Sequence, residues 1–366
     1  MRLFLLNYLL LLSICVVRAQ ERSDFYFTHV NGENGLSASN VKAILQDSYG
    51  FMWFGTKNGL NRYDGTSILQ FDCDDLEEGT GNHNIGALFE DKERNLWVGT
   101  DRGVYIYNPA VDVFKRFKIA SSEGITLDNW VAEILSDSLD NIWVLIPDQG
   151  LFRYKDGKVH HYSLLDKDNL KNNNPECICI NEQGEVWVGT SGVGLFKYNY
   201  RDDKFEQYLA DRMGRSLIGK TIISICFQKE NAILGIHEGD LLKYNTRTDE
   251  LSEVSFLGEK KTFLRDVMCF GDEIWVGSLH GIFIINEKEN NVIHLKEDLM
   301  RSFSLSDNSI YSIYKDHEGG IWIGTMFGGV NYLPNRILTF DKYVPGSDSH
   351  SLNTKRIRAL AEDNNG

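Results

Sequence analysis

The sequence predicts an all-β fold, a seven-bladed β-propeller of four-stranded antiparallel blades followed by the first strands of a second propeller. The main observation is a recurring segment in which tryptophan is followed two residues later by glycine or, once, by leucine. Its six copies begin at Trp53, Trp97, Trp143, Trp187, Trp275 and Trp322. They are separated by 44, 46, 44, 88 and 47 residues, so the long interval spans two periods. A period of about 40–50 residues with these marks is typical of propeller blades.

The second observation is a repeat that lacks the tryptophan but keeps the rest of the pattern. Residues 232–236 read Ala-Ile-Leu-Gly-Ile, and residues 239–244 supply the turn and the strand that follow. This repeat fills the long interval. Seven repeats therefore lie between Leu36 and Tyr332.

The first repeat shows how each period becomes a blade. Apolar segments at 41–46, 51–55, 60–63 and 68–71 are separated by turn residues such as Asp64-Gly65. The second segment is apolar throughout, which predicts a strand buried on both faces. Four such strands joined by short turns form one blade. The tryptophan is expected to fill the space between blades, and the glycine to let neighbouring atoms approach closely.

The ends of the repeat region predict how the ring closes. Residues 25–28 and 337–343 both resemble the fourth strand of a blade. We expect the N-terminal strand to complete the seventh blade, because closure removes exposed sheet edges. Residues 351–366 repeat the beginning of the first blade, so the domains are predicted as 20–336 for the propeller and 337–366 for a truncated second one. The chain is expected to be the N-terminal part of a longer protein.

The first residues predict export. An apolar run from Leu3 to Val17 ends in Val-Arg-Ala, which favours a signal peptide over residues 1–19 with cleavage before Gln20. A retained signal anchor is the alternative. Removal of Arg2 and Arg18 would make the formal net charge of −14 more negative still. An acidic surface repels polyanions, so nucleic acid is not expected as a partner.

The cysteines and the acidic turns predict no metal or cofactor site. After cleavage five cysteines remain, an odd number without framework spacing, so structural disulfides are not expected. Cys177 and Cys179 point to the same face of a strand, where side chains usually pack in the core. Turns such as Asp47-x-x-Gly50 lack the clustered oxygen ligands of a calcium site, and hairpin geometry explains them.

Residues 47–65, Asp-Ser-Tyr-Gly-Phe-Met-Trp-Phe-Gly-Thr-Lys-Asn-Gly-Leu-Asn-Arg-Tyr-Asp-Gly, closely resemble the two-component regulator propeller repeat. The resemblance extends over nearly the whole chain after residue 19, with departures at Leu145 and in the fifth repeat. Such repeats build the periplasmic sensors of hybrid two-component systems, especially those of gut Bacteroidetes that control polysaccharide use.

In that family two seven-bladed propellers precede a small β-sandwich, a membrane helix, a histidine kinase, a receiver and a DNA-binding domain. The resemblance implies an oligosaccharide ligand, a homodimeric full-length protein anchored in the inner membrane, and a phosphorelay that controls transcription. The kinase chemistry would lie beyond this chain, so no catalytic residue is expected within it.

Ligand-binding candidates come from the loops on one face of the ring, because loops on a rigid scaffold carry recognition. The candidates taken from these loops are His83, Arg102, Trp130, Lys220, His237, Arg265, His280 and Phe327. Trp130 is the tryptophan outside the blade register, and its indole could stack on a sugar; packing at the pore is the alternative. Arg102, Lys220 and Arg265 could bind a carboxylated sugar. The alternative is that they are solvated charges on the surface, as such residues usually are.

Three function classes follow from these patterns. The favoured one is a sensor that binds a glycan fragment and signals by a shift between two arrangements. A propeller enzyme acting on glycans is the runner-up, although it needs two carboxylates flanking the axis and no acid stands out in the axial loops. A protein-interaction propeller is the third. The sequence contains no zinc-protease, P-loop or nucleophile-elbow motif.

Overall fold

The computed structural model describes residues 25–71, 84–118, 124–164, 174–208, 211, 213–256 and 262–335. Within these residues 28 strands form seven antiparallel sheets of four strands each, which confirms the predicted propeller. The predicted signal peptide 1–19, the candidate His83 and the predicted second-propeller segment 337–366 lie outside the described residues. The described residues contain no helix long and apolar enough to cross a membrane.

The strands of the first four blades follow one another along the chain, after strand β1 (Thr28–Val30) and a short 3-10 helix (Gly32–Asn34). Blade 1 contains β2 (Val41–Gln46), β3 (Met52–Thr56), β4 (Gly59–Tyr63) and β5 (Ile68–Phe71). Blade 2 contains β6 (Ile85–Glu90), β7 (Leu96–Thr100), β8 (Gly103–Asn108) and β9 (Val113–Arg116). Blade 3 contains β10 (Glu133–Ser136), β11 (Ile142–Ile146), β12 (Gly150–Lys155) and β13 (Lys158–Tyr162). Blade 4 contains β14 (Pro175–Ile180), β15 (Val186–Thr190), β16 (Leu195–Asn199) and β17 (Lys204–Tyr208).

The last three blades continue this order and close the ring. Blade 5 contains β18 (Ile222–Gln228), β19 (Asn231–Ile236), β20 (Leu241–Asn245) and β21 (Glu250–Glu253). Blade 6 contains β22 (Leu264–Phe270), β23 (Glu273–Ser278), β24 (Gly281–Asn286) and β25 (Asn291–Leu295). Blade 7 contains β26 (Ile310–Lys315), β27 (Ile321–Thr325) and β28 (Val330–Leu333). The fifth repeat therefore forms a complete blade without its tryptophan.

The N-terminal strand supplies the fourth strand of blade 7, as the sequence predicts. β1 pairs antiparallel with β28, with Thr28 opposite Tyr332 and Val30 opposite Val330. The paired residues lie slightly later than the predicted 25–28. Phe25 and Phe27 pack instead into the apolar core of blades 6 and 7, and Phe27 is 2% exposed.

The repeated tryptophans lie in the core between blades, and their indole N–H groups are held by acidic residues. In four repeats the acceptor is the aspartate of the first turn, at 2.7–3.0 Å from Nε1; the pairs are Trp53 with Asp47, Trp97 with Asp91, Trp143 with Asp137, and Trp322 with Asp316. In the fourth and sixth repeats the acceptors are Glu185 and Glu273. The acidic turns thus have a structural role, because each buried indole donor needs an acceptor.

The repeat glycine lies where the next blade approaches most closely. A Cβ atom added at Gly55 would lie 2.6 Å from Ile85, and one added at Gly189 would lie 2.6 Å from Ile222. Both contacts are shorter than van der Waals packing allows. Glycine at this position therefore permits the first strand of the next blade to pack against the second strand of its neighbour.

The expectation that structural disulfides are absent is wrong. Cys226 and Cys269 form a disulfide with their Cα atoms 5.7 Å apart. They lie on β18 and β22, at positions opposite Ile233 and Ile274, so one repeat separates them in sequence while adjacent blades bring them together. Counting cysteines does not detect such a pair, because no local spacing marks it.

Candidate functional site at the central channel

The first strands of the seven blades surround a central channel of about 560 Å³. In six of these strands the pairing register shifts by one residue near the start of the strand. The residues within the shifts are Lys42, Gly86, Glu176, Ile223, Arg265 and Tyr311. A bulge removes its extra residue from the ladder and re-aims its side chain. All six line the channel.

Four of the lining residues form a compact group that we call the channel cluster, consisting of Lys42, Trp130, Arg265 and Tyr311. Lys42 Nζ lies 4.6 Å from the centre of the Trp130 ring and 5.8 Å from that of Tyr311. The guanidinium carbon of Arg265 also lies 5.8 Å from the Tyr311 ring centre. The cluster therefore combines two aromatic faces with two positive charges.

Trp130 owes its position to a missing side chain. A Cβ at Gly86 would lie 2.6 Å from the Trp130 ring, so the indole covers the bulge of blade 2 where other blades present a side chain. The backbone beside it is fixed, because Val131 N–H donates to Thr100 O over 3.0 Å. Trp130 is half-buried. It packs at the pore, which was the alternative considered from the sequence, and its predicted role in stacking on a sugar remains a prediction.

The two cations of the channel cluster have no carboxylate partner among the residues that the structure describes. Burial lowers the pKa of Lys42, and the charges of Arg265 and Lys57 lower it further. Arg265 Nε is buried and donates to no described group. Both cations line the channel, which they share with the carboxyl groups of Glu133, Glu176 and Asp266.

His237 also lines the channel near Arg265. Burial lowers the pKa of the imidazole, and the Arg265 charge adds to this, while Glu238 opposes it. The ring packs on Phe263 with the centres 5.0 Å apart. The structure thus brings together three sequence candidates, Trp130, His237 and Arg265.

The remaining described candidates do not line this channel. Lys220 pairs with Asp240 at 3.0 Å, and His280 Nδ1 lies 2.6 Å from Thr262 Oγ1. The Arg102 backbone N–H donates to Thr100 Oγ1. Phe327 is 69% exposed on the surface. Their predicted role in ligand binding remains a prediction.

Two acidic residues that the sequence reasoning missed lie on the first strands. Glu133 and Asp266 occupy the position opposite the repeat glycine, or opposite Leu145 in blade 3. Glu133 Oε2 accepts from Ile178 N–H at 2.7 Å, and Asp266 Oδ2 accepts from Ile313 N–H at 2.8 Å. Each carboxyl group thereby joins its blade to the next. The detectable signal was an acid at a strand position where other repeats have alanine, serine or cysteine.

Glu133 is expected to make stability depend on pH. Burial raises its pKa to about 8, the hydrogen bond from Ile178 opposes the shift, and the Asp266 charge adds to it. The folded state therefore holds a proton that the unfolded state loses near its ordinary, lower pKa. Stability is present at low pH and falls as pH rises towards about 8, with a limiting slope of about 1.4 kcal/mol per pH unit for one proton.

Glu133→Gln is expected to flatten this slope, because the amide oxygen can still accept from Ile178 without ionising. The measurement is urea unfolding at several pH values between 4 and 9. Exposed Glu182→Gln is the matched control and should leave the slope unchanged. Equal slopes for Glu133→Gln and the unaltered chain would contradict the assignment.

The architecture and its channel define the class of the molecule as a seven-bladed β-propeller with a lined axial cavity. A family model described as two component regulator propeller matches residues 35–58, 79–102 and 304–327. Three segments of the chain therefore match this repeat, which confirms the resemblance found in the sequence.

Solved structures share this fold. The extracellular domain of the putative hybrid two component system BT3049 from B. thetaiotaomicron is 24% identical, with a TM-score of 0.73 over 93% of this chain and 46% of that one. The corresponding domain of BT4673 from the same organism is 24% identical, with a TM-score of 0.70 over 84% and 40% of the two chains. A streptogramin B lyase structure is 15% identical with a TM-score of 0.65, covering 86% of this chain and 99% of the lyase chain.

A curated relative shares sequence over a shorter stretch. Histidine kinase P4 of Formosa agariphila is 26% identical over 158 residues, which is 41% of this chain. The matched region spans 12% of that kinase, so the chain corresponds to a small part of its relative.

Proposed function

We propose that this propeller is the extracytoplasmic sensor part of a hybrid two-component histidine kinase and binds an oligosaccharide at its central channel. The two-component regulator repeats support the sensor role, as does the likeness to part of a histidine kinase. The predicted signal peptide supports a periplasmic location, with the full-length protein anchored in the inner membrane. The receptor would then control transcription of polysaccharide-use genes.

The channel cluster is the observation that carries this proposal. Ligand sites are concave, and they combine apolar or aromatic surface with a few polar groups. Trp130 and Tyr311 offer ring faces, while Lys42 and Arg265 offer donors without partners among the described residues. A sugar fits such a surface because its C–H face packs on an aromatic ring while its hydroxyl groups accept hydrogen bonds.

Signalling requires the ligand to discriminate between two states of the receptor. A ligand shifts an equilibrium only by its differential affinity for the two arrangements. We propose that the arrangements differ in how the propeller contacts the second propeller or the partner of a homodimer. The kinase would respond to that change, and no cofactor is needed in the propeller itself.

Trp130→Ala is expected to weaken oligosaccharide binding by at least tenfold, since it removes the stacking surface, while Trp130→Phe should retain part of the affinity. Calorimetry against a panel of neutral and acidic oligosaccharides measures this on the purified chain. Tyr49→Ala is the matched control, because that exposed ring lies outside the channel and is not among the binding candidates. Unchanged binding by Trp130→Ala would place the site elsewhere. Phosphorylation of the intact receptor that ignores every glycan but responds to a soluble protein would overturn the sensor proposal.

A propeller enzyme acting on glycans is the second candidate, and Glu176 is the observation that favours it. This side chain lines the channel, and burial together with the Asp148 charge raises its pKa, as a general acid requires. Glycosidases use two carboxyl groups. Glu133 and Asp266 are already engaged by the backbone of the next blade. Chromatography of oligosaccharides after incubation decides between cleavage and binding.

A further inference from the structure

We propose that the ligand of the channel is an acidic oligosaccharide whose uronate carboxylate is held between Lys42 and Arg265. The proposal rests on the proposed function and specifies the chemical class of its ligand. Lys42 lies on blade 1 and Arg265 on blade 6, with Tyr311 of blade 7 between them. All three are bulge residues at the same level of the ring.

The absence of a partner sets these two cations apart from comparable lysines in the described part of the chain. Three other partly buried lysines pair with carboxylates at 2.5–3.0 Å, in the pairs Lys197 with Glu185, Lys220 with Asp240, and Lys243 with Glu287. Acidic residues outnumber basic ones, 52 to 38. Glu133, Glu176 and Asp266 line the same channel, yet neither Lys42 nor Arg265 forms an ion pair with a described carboxylate, which points to an external anion.

The positive charges of Lys42 and Arg265 also repel each other. Both lie partly removed from water, and the lowered pKa of Lys42 reflects its burial and the nearby Arg265 charge. An anion placed between them would relieve this repulsion.

A carboxylate fits this arrangement better than a neutral group. The planar guanidinium of arginine matches the two oxygens of a carboxylate, and the lysine adds a second charged donor. Trp130 and Tyr311 then lie where they can pack on the sugar ring that carries the carboxylate. Glu176, from blade 4 across the ring, would accept hydrogen bonds from hydroxyl groups and repel a second anionic group. The channel would therefore fix the orientation of the oligosaccharide.

The test uses the purified full chain and oligosaccharides of two to four residues. The probes are galacturonate and glucuronate oligosaccharides, their carboxyl-reduced neutral counterparts, and sulfated oligosaccharides of equal length. We expect at least one uronate probe to bind and its reduced counterpart to bind at least tenfold more weakly. Affinity should fall as salt concentration rises, because the contact is electrostatic. Tighter binding of a sulfated probe than of every uronate probe would overturn the carboxylate assignment.

Substitutions locate the contact. Lys42→Met and Arg265→Met should each weaken uronate binding at least tenfold, and Lys42→Arg should restore part of it. Lys57→Met is the matched control, because Lys57 is a nearby but exposed cation outside the channel lining. The melting temperature of Lys42→Met without ligand should be equal or higher, which shows that the variant folds.

The outcomes separate the two proposals. Neutral oligosaccharides that bind as tightly as uronates, and that tolerate Lys42→Met and Arg265→Met, would overturn the acidic ligand while leaving the glycan sensor intact. Failure of every oligosaccharide to bind, neutral or charged, would overturn both.

Discussion

Replacing Trp143 by alanine is expected to lower the free energy of unfolding by about 3–5 kcal/mol, the usual cost of truncating a buried aromatic side chain. Trp143 is 0% exposed and contacts three aromatic residues, Tyr162 on its own blade and Tyr198 and Phe205 on blade 4. The substitution would leave a cavity between the two blades. It would also remove the indole N–H that donates to Asp137 Oδ2 at 3.0 Å. Urea unfolding followed by far-ultraviolet circular dichroism measures the loss.

Trp143→Phe separates packing from hydrogen bonding, because it keeps an aromatic ring and removes the N–H. Burial opposes ionisation of Asp137, yet hydrogen bonds from Trp143, Asn141 and Tyr200 hold the pKa of this carboxyl below its ordinary value. The phenylalanine variant should therefore lose only about 1–2 kcal/mol, since the other donors remain. A loss below about 1 kcal/mol for Trp143→Ala would contradict the role of this residue in joining the blades.

The repeat pattern predicted the fold because one physical requirement recurs in every blade. Each second strand must be buried on both faces, so it reads as an apolar run with tryptophan at one position and glycine two residues later. The exceptions agree with this account. Leu145 replaces the glycine and is still fully buried, and Ile233 takes the tryptophan position in blade 5 within an apolar core. Burial is the requirement, and several side chains satisfy it.

The site was predictable in part. Trp130 was chosen as a candidate because it departs from the blade register, and Arg265 and His237 because their loops lie on one face of the ring; all three line the channel. Lys42 and Tyr311 were missed for a physical reason. Each lies within a shift of the strand pairing. A bulge changes the face of the sheet on which a side chain lies, and the alternation of apolar and polar residues does not reveal this change.

The disulfide and the two acids on the first strands were missed because they depend on contacts between blades. Cys226 and Cys269 lie on separate strands and meet only when the ring forms. Glu133 likewise accepts from the backbone of the next blade. Periodicity within one chain segment describes a blade well, but it contains little information about how side chains of adjacent blades meet.

Removing the N-terminal strand is expected to have the largest effect on the propeller. A chain beginning at Asn31 would lack β1, expose the edge of β28, and lose the buried side chains of Phe27 and Val30. The unpaired edge would invite intermolecular pairing. Size-exclusion chromatography should show aggregation, and urea unfolding should begin at a lower concentration than in the complete chain.

Point substitutions in this segment distinguish ring closure from a general effect of shortening the chain. Phe27→Ala should cost about 3–5 kcal/mol, because this side chain packs with Trp275 and Ile310 in the core between blades 6 and 7. Thr28 is the next residue and its side chain is exposed. Thr28→Ala should therefore change the free energy of unfolding by less than about 0.5 kcal/mol. If the shortened chain and Phe27→Ala both unfolded like the complete chain, β1 would be dispensable. If the shortened chain and Phe27→Ala lost stability while Thr28→Ala did not, the N-terminal segment would be shown to stabilise blade 7 and close the ring.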